Sequence, residues 1–146
     1  MSVFVDTSAF LALLDAGVEG HAAAAHAWRG FLESDERLVT SSYVLVESYA
    51  LVRRRLGTAA VRSLASDFLP LVEVDWVDAA THDAGLSAFL AANQRGLSLV
   101  DCVSFELVRR QGLTTVFSLD PGFARQGFAV VPGARGRSFV REGRAP

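Results

Sequence analysis

The sequence contains no lysine, a single cysteine and no long hydrophobic run. All 14 basic side chains in its 146 residues are arginines. The absence of lysine excludes mechanisms that depend on a lysine amine, such as P-loop phosphate binding and Schiff-base chemistry. One cysteine excludes an intramolecular disulfide and any zinc or iron–sulfur site built from several cysteines.

No apolar stretch reaches the ~20 residues that a membrane-spanning helix requires. The amino terminus, Met1 to Asp6, has no basic region of the kind that begins a signal peptide. A hydrophobic fraction of 51% with 21% charged residues is typical of a globular chain. We therefore expect a soluble, cytoplasmic protein.

The charges are distributed unevenly along the chain. Residues 1–120 carry 9 arginines and 15 acidic residues, whereas residues 121–146 carry 5 arginines and 1 acidic residue. The last stretch is also rich in glycine, which predicts a mobile tail that is either solvated or in contact with phosphates. We therefore predict one folded domain over residues 1–132 and a Gly/Arg-rich tail over 133–146.

Short apolar runs alternate with amphipathic segments along the predicted domain. The apolar runs predict five strands, over residues 3–5, 38–40, 71–74, 114–117 and 128–131. The intervening segments predict helices over residues 9–15, 19–34, 43–56, 58–68, 78–92 and 98–112. Strands that alternate with helices form parallel βαβ units. We therefore expect an α/β fold, a three-layer α/β/α sandwich with a short, mainly parallel sheet.

Four acidic residues occupy positions that this architecture could bring together. Asp6 follows the first predicted strand and Asp120 follows the fourth, while Asp101 begins one helix and Glu47 lies inside another. Each has a structural explanation when taken alone: a helix start, a turn, a capping box and a solvated helix charge. Ligand sites in such sheets lie beyond the carboxyl ends of the strands, so the coincidence of four acids favours a shared site.

A shared acidic site requires a positive partner. Carboxylates about 4 Å apart repel one another by roughly 4 kcal/mol per pair at an effective dielectric constant of 20. The chain has no lysine, and the three arginines nearest to Glu47, Arg53 to Arg55, crowd the end of its helix, so a divalent cation is the expected partner. Ligands that are all oxygen suit Mg²⁺ or Mn²⁺ better than zinc. Such a metal lowers the pKa of bound water and polarises a phosphodiester, which points to hydrolysis of a phosphodiester bond.

Other candidate sites are weaker. His21 and His26 are five residues apart, so they do not share one helix face, and Cys102 is expected to pack in the interior beside Asp101. Both tryptophans, Trp28 and Trp76, are expected in the core, with a dimer contact as the alternative. An aspartyl-phosphate mechanism at Asp6 and a metal-free binding module remain alternatives to hydrolysis.

The segments around these acids resemble the PIN-domain ribonucleases, and among them most closely the VapC-type toxins of bacterial toxin–antitoxin pairs. The resemblance covers about residues 2–132 and is carried by the interior Glu47 and by Val3-Phe-Val-Asp6-Thr-Ser-Ala, Leu97-Ser-Leu-Val-Asp101-Cys-Val-Ser-Phe and Ser118-Leu-Asp120-Pro-Gly-Phe123. Where this family has a more polar residue after the fourth acid, the chain has Pro121. Asp120 is therefore expected to hold the metal directly or through water.

The resemblance implies a Mg²⁺- or Mn²⁺-dependent endoribonuclease. Its catalytic and metal-binding residues would be Asp6, Glu47, Asp101 and Asp120, with Thr7 as an auxiliary group. It also implies a homodimer, a cognate antitoxin protein and an RNA substrate (tRNA, rRNA or mRNA). An RNA-processing nuclease without an antitoxin is the alternative within the same family. Because the site itself is acidic, RNA must be held by basic groups; the candidates are Arg109, Arg110 and the tail, and the sequence gives no reason to choose among them.

Overall fold

Five parallel strands form the centre of the computed structural model, which describes residues 1–133. They are β1 (Ser2–Val5), β2 (Arg37–Ser41), β3 (Glu73–Asp75), β4 (Thr115–Ser118) and β5 (Val130–Pro132). Their spatial order is β3-β2-β1-β4-β5, and each neighbouring pair is parallel. The predicted α/β sandwich with a five-stranded sheet is confirmed. The tail predicted for 133–146 lies, apart from its first residue, outside the described residues.

Helices connect the strands and cover the two faces of the sheet. They are α1 (Thr7–Leu14), α2 (His21–Glu33), α3 (Ser42–Leu56), α4 (Thr58–Ser63), α5 (Ala79–Ala92), α6 (Leu99–Gln111) and α7 (Gly122–Arg125). The predicted helix over residues 58–68 is divided, because α4 passes into a π-helical turn, Leu64–Phe68, and a 3-10 turn, Leu69–Leu71. These turns delay β3 by two residues relative to its predicted start.

Local signals in the sequence account for the ends of the helices near the site. The Ser41 hydroxyl accepts the Val44 N–H at 3.0 Å and so caps α3. Gly57 ends this helix with a φ of 92°, a backbone conformation that favours glycine. At α6, Ser98 and Asp101 form a reciprocal capping box with both bonds at 3.0 Å.

The core lies between the central strands and the helices on both faces. Phe4 and Phe117, on β1 and β4, are fully buried, and Phe123 of α7 packs against Phe4. Trp28 is buried as predicted, but Trp76 is 69% exposed, so its expected core position is wrong. Trp76 comes directly after β3. Because β3 is an edge strand, it has a neighbouring strand on one side only. Within residues 1–133, no helix is long and apolar enough to cross a membrane.

The strand order determines where a ligand site can form. β1 is at the centre, with β2 on one side and β4 on the other. The chain therefore winds outward in both directions from β1, and the crevice between the carboxyl ends of β1 and β4 is the topological switch point of the sheet.

Candidate active site

A cavity of about 360 Å³ opens at this switch point. All four acids singled out in the sequence line it: Asp6, Glu47, Asp101 and Asp120. They come from four different parts of the chain, namely the end of β1, the middle of α3, the first turn of α6 and the loop after β4. The fold therefore brings together the residues that the sequence analysis grouped.

Asp6 is the most deeply placed of the four. Only 5% of the residue is exposed, and its Oδ2 accepts hydrogen bonds from Ser8 at 3.0 Å and from Ser118 at 2.9 Å. Burial raises the pKa of Asp6 to about 6. The two serine bonds oppose this rise in pKa, and the nearby charge of Asp101 adds to it.

Glu47 is tied to the start of α1 by a threonine. The Thr7 hydroxyl donates to Glu47 Oε1 at 2.6 Å, and Thr7 Oγ1 accepts from Ser48 at 3.4 Å. Ser48 belongs to the buried stripe of α3, which also includes Val44 and Val52. Leu45, Tyr49 and Leu56 of the same helix are only partly buried.

Asp101 and Asp120 each keep the structural role that the sequence indicated and also face the cavity. Asp101 Oδ2 accepts the Ser98 N–H of the capping box. Burial raises the pKa of Asp101, and the charge of Asp120 contributes to the rise. Asp120 Oδ2 accepts the Gly122 N–H at 3.1 Å, which closes the turn. Its own N–H donates to Ser118 at 3.0 Å.

The donor chemistry of this cavity fits a hard divalent cation. Within residues 1–133, hydrogen bonds to the four carboxylates end on one oxygen of each, namely Oδ2 of the three aspartates and Oε1 of Glu47. Each carboxylate thus keeps a second oxygen that could serve as a ligand. In the same part of the chain, no three acidic, histidine or cysteine side chains converge closely enough to enclose an ion.

Two serines at the site were missed in the sequence. Ser8 and Ser118 contact one another at 3.1 Å, and both donate to Asp6. The available signal was their spacing, since Ser8 is two residues after Asp6 and Ser118 is two residues before Asp120. Serines at such positions are common in turns, so the spacing alone does not indicate a contact across the sheet.

The arginines proposed from the sequence as RNA contacts have other partners in the fold. Arg109 lies over the Phe128 ring at 5.1 Å and donates to Gln126 at 3.0 Å. Arg110 forms an ion pair with Glu106 at 3.0 Å. Neither lines the acidic cavity, whereas Arg54, which the sequence did not single out, does.

Cys102 and His21, which the sequence suggested only weakly as site residues, have structural roles in the fold. Cys102 is buried, and burial together with the charge of Asp101 raises the pKa of its thiol, which is unfavourable for a nucleophile. His21 uses its Nδ1 in a 2.7 Å hydrogen bond with the Ala12 carbonyl oxygen.

Comparisons with known proteins agree with this architecture. The family model described as "PIN domain" matches residues 3–129. The chain is 32% identical over 130 residues to the 23S rRNA-specific endonuclease VapC20 of Mycobacterium tuberculosis, covering 88% of this chain and 97% of the relative. The crystal structure of M. tuberculosis VapC20, described as a Sarcin-Ricin loop cleaving toxin, superposes with a TM-score of 0.77 at 30% identity, covering 88% and 97% of the two chains.

More distant structures share the fold. VapBC2 from Rickettsia felis, bound to a DNA fragment from its promoter, gives a TM-score of 0.67 at 13% identity, with 89% of this chain and 97% of that chain covered. FitAcB from Neisseria gonorrhoeae gives 0.64 at 18% identity, with 88% and 95% covered.

Proposed function

The chain belongs to the PIN-domain family, and on that premise we propose that it is a metal-dependent endoribonuclease and the toxin of a type II toxin–antitoxin pair. The observation that carries this proposal is the placement of four acids around one cavity at the switch point of the sheet. Its relative VapC20 is named for cleavage of 23S rRNA. For this chain we propose an RNA substrate of the tRNA, rRNA or mRNA class.

In this proposal Asp6, Glu47 and Asp101 hold Mg²⁺ or Mn²⁺, and Asp120 assists directly or through water. A cation bound there would supply a water of lowered pKa and would neutralise charge on the phosphodiester. Hydrogen bonds restrain two of these side chains: Ser8 and Ser118 hold Asp6, and Thr7 holds Glu47.

The partners of this chain belong to the same proposal. We infer that an antitoxin protein covers the acidic cavity and that the toxin acts as a homodimer in the cytoplasm, where its RNA substrate is found. The folded domain would span residues 1–132, with the Gly/Arg-rich segment from 133 to 146 as an appended tail.

The test is the substitution Asp101→Asn, with cleavage of total RNA in Mn²⁺ as the measurement. Asparagine can still accept the Ser98 N–H, so α6 keeps its cap while one metal ligand is lost. We expect cleavage to fall at least 100-fold and the heat of Mn²⁺ binding to weaken in calorimetry. Asp83→Asn on the exposed face of α5 is the matched control and should behave as wild type.

Two results would contradict the proposal. Full cleavage by Asp101→Asn would show that the acidic cavity is not the catalytic centre. Mn²⁺ heats that are the same in wild type and variant, without RNA cleavage, would instead favour the metal-free binding module.

A further inference from the structure

The acidic cavity is the middle part of a longer groove. On one side it adjoins a cavity of about 430 Å³ lined by Ala50, Arg53, Arg54, Gly57 and Thr58, and the two share Ala50 and Arg54. On the other side it adjoins a cavity of about 100 Å³, and those two share Asp101 and Asp120. We call these three adjoining cavities, which are linked by shared lining residues, the groove.

Both ends of the groove are basic. The first end carries Arg53 and Arg54 near the carboxyl end of α3. The second end carries Arg95, from the loop between α5 and α6, and Arg125, from α7. The sign of charge along the groove therefore runs positive, negative, positive.

None of these four arginines has an internal partner within residues 1–133, a property that they share with Arg29, Arg55 and Arg62, which do not line the groove. Within residues 1–133, all four are exposed, and their side chains form neither an ion pair nor a hydrogen bond. Arg37, Arg109 and Arg110, by contrast, are bound to neighbouring side chains. Guanidinium groups without partners are available to bind phosphates, and they match phosphate oxygens with two parallel bonds.

We propose that a single RNA strand lies along this groove, with the reacting phosphodiester at the acids and neighbouring phosphates bound at both ends. This inference rests on the proposed nuclease function and adds the path of the substrate to it. Four carboxylates repel an RNA backbone, so the strand needs compensating charge close by. Arg53 and Arg54 supply that charge on one side of the acids, and Arg95 and Arg125 supply it on the other. Phosphate contacts of this kind fix the register of the strand without reading its sequence.

The experiment measures RNA affinity without cleavage. A short, unstructured, fluorescein-labelled RNA is titrated with protein in EDTA, and fluorescence anisotropy is recorded at several salt concentrations. The two double variants are Arg53→Gln with Arg54→Gln, and Arg95→Gln with Arg125→Gln. The control with the same change in charge is Arg29→Gln with Arg62→Gln, two exposed arginines that do not line the groove.

We expect each groove variant to bind the RNA at least tenfold more weakly than wild type, with the control within twofold. The dependence of log affinity on log salt concentration should also become shallower. Each lost phosphate contact on a single strand removes about 0.7 from this slope, so a double variant should lose about 1.4. All substituted side chains are exposed, and circular dichroism should therefore show an unchanged fold.

The outcomes separate this inference from the nuclease assignment. If both groove variants bind RNA as well as the control, or if wild type binds no RNA, the path is wrong. If the variants keep their RNA affinity but lose the antitoxin, the arginines belong to the protein interface, which also overturns the path. If wild type binds RNA through the groove but cleaves none in Mg²⁺ or Mn²⁺, the path stands and the nuclease function fails.

Discussion

Replacing Asp6 by asparagine should stabilise the metal-free protein at neutral pH while it abolishes RNA cleavage. Burial raises the pKa of this carboxyl from 3.8 to about 6 in the folded state. At ~1.4 kcal/mol per pKa unit, the ionised form costs the fold about 3 kcal/mol relative to the unfolded chain. Asparagine has no charge to desolvate, and its amide oxygen can accept the same bonds from Ser8 and Ser118.

The pH dependence of this gain has a defined sign. Because the folded-state pKa of Asp6 lies above that of the unfolded chain, folding takes up a proton between about pH 4 and pH 6. The stability that wild type derives from this group therefore falls as the pH rises through that window. The advantage of Asp6→Asn should be absent below about pH 4 and reach up to about 3 kcal/mol above pH 6, or roughly 10 °C in Tm.

The assay is urea unfolding in EDTA at pH 4 and at pH 8, with Asp83→Asn as the exposed control. Addition of Mn²⁺ at pH 8 provides the second measurement. Ligand at one hundred times its Kd stabilises a protein by about 2.7 kcal/mol, and wild type but not Asp6→Asn should gain this amount. The reasoning would be refuted if Asp6→Asn were less stable than wild type at pH 8, or if its stability advantage over wild type were the same at pH 4 and pH 8.

Two further substitutions test the supports of the site. Ser118→Ala removes a donor to Asp6 Oδ2 and the acceptor of the Asp120 N–H, so the fold should lose about 1–3 kcal/mol. The loss of cleavage rate at low pH should begin at a higher pH, because the pKa of Asp6 rises further without the hydrogen bond from Ser118. An unchanged pH–rate profile would contradict this role of Ser118. Gly122→Ala places a Cβ 2.8 Å from Asp120 Oδ2, so cleavage should fall at least tenfold as the carboxylate is displaced. The control is Gly30→Ala in α2, where the new Cβ has nothing within 4 Å. This variant should raise the free energy of unfolding by about 0.5–1 kcal/mol in the same urea titration. If both alanine variants cleave RNA equally well, crowding of Asp120 has no effect on catalysis.

The sheet could be predicted because its strands are buried on both faces and therefore appear as continuous apolar runs. The elements whose positions were predicted wrongly share a physical cause. At these places tertiary packing outweighed the local sequence preference for a strand or a turn. The third strand begins at Glu73 because Leu69–Leu71 turns as a 3-10 segment around Pro70. The short helix α7 replaces a simple turn after Asp120 because Phe123 is fully buried and holds the segment against the sheet.

Asp6 and Asp120 could be grouped from sequence because the ends of parallel strands meet at one edge of the sheet. Glu47 and Asp101 lie on helices, and the resemblance to PIN-domain ribonucleases supported their assignment to the same site. The side chains that support them could not be predicted. Ser8 and Ser118 are 110 residues apart, and nothing local indicates that they touch. The arginine ends of the groove were missed for a similar reason. A count of charges identifies basic segments, but only the fold shows that Arg95 and Arg125 line one cavity.

The central position of β1 has a consequence for biosynthesis. The chain begins with this strand, yet one of its two neighbours, β4, ends only at Ser118. A nascent chain that has not yet reached Ser118 lacks the hydroxyl that donates to Asp6, and it also lacks Asp120. An RNA-cutting protein made on a ribosome thus completes its acidic site only after β4 has been translated, long after β1.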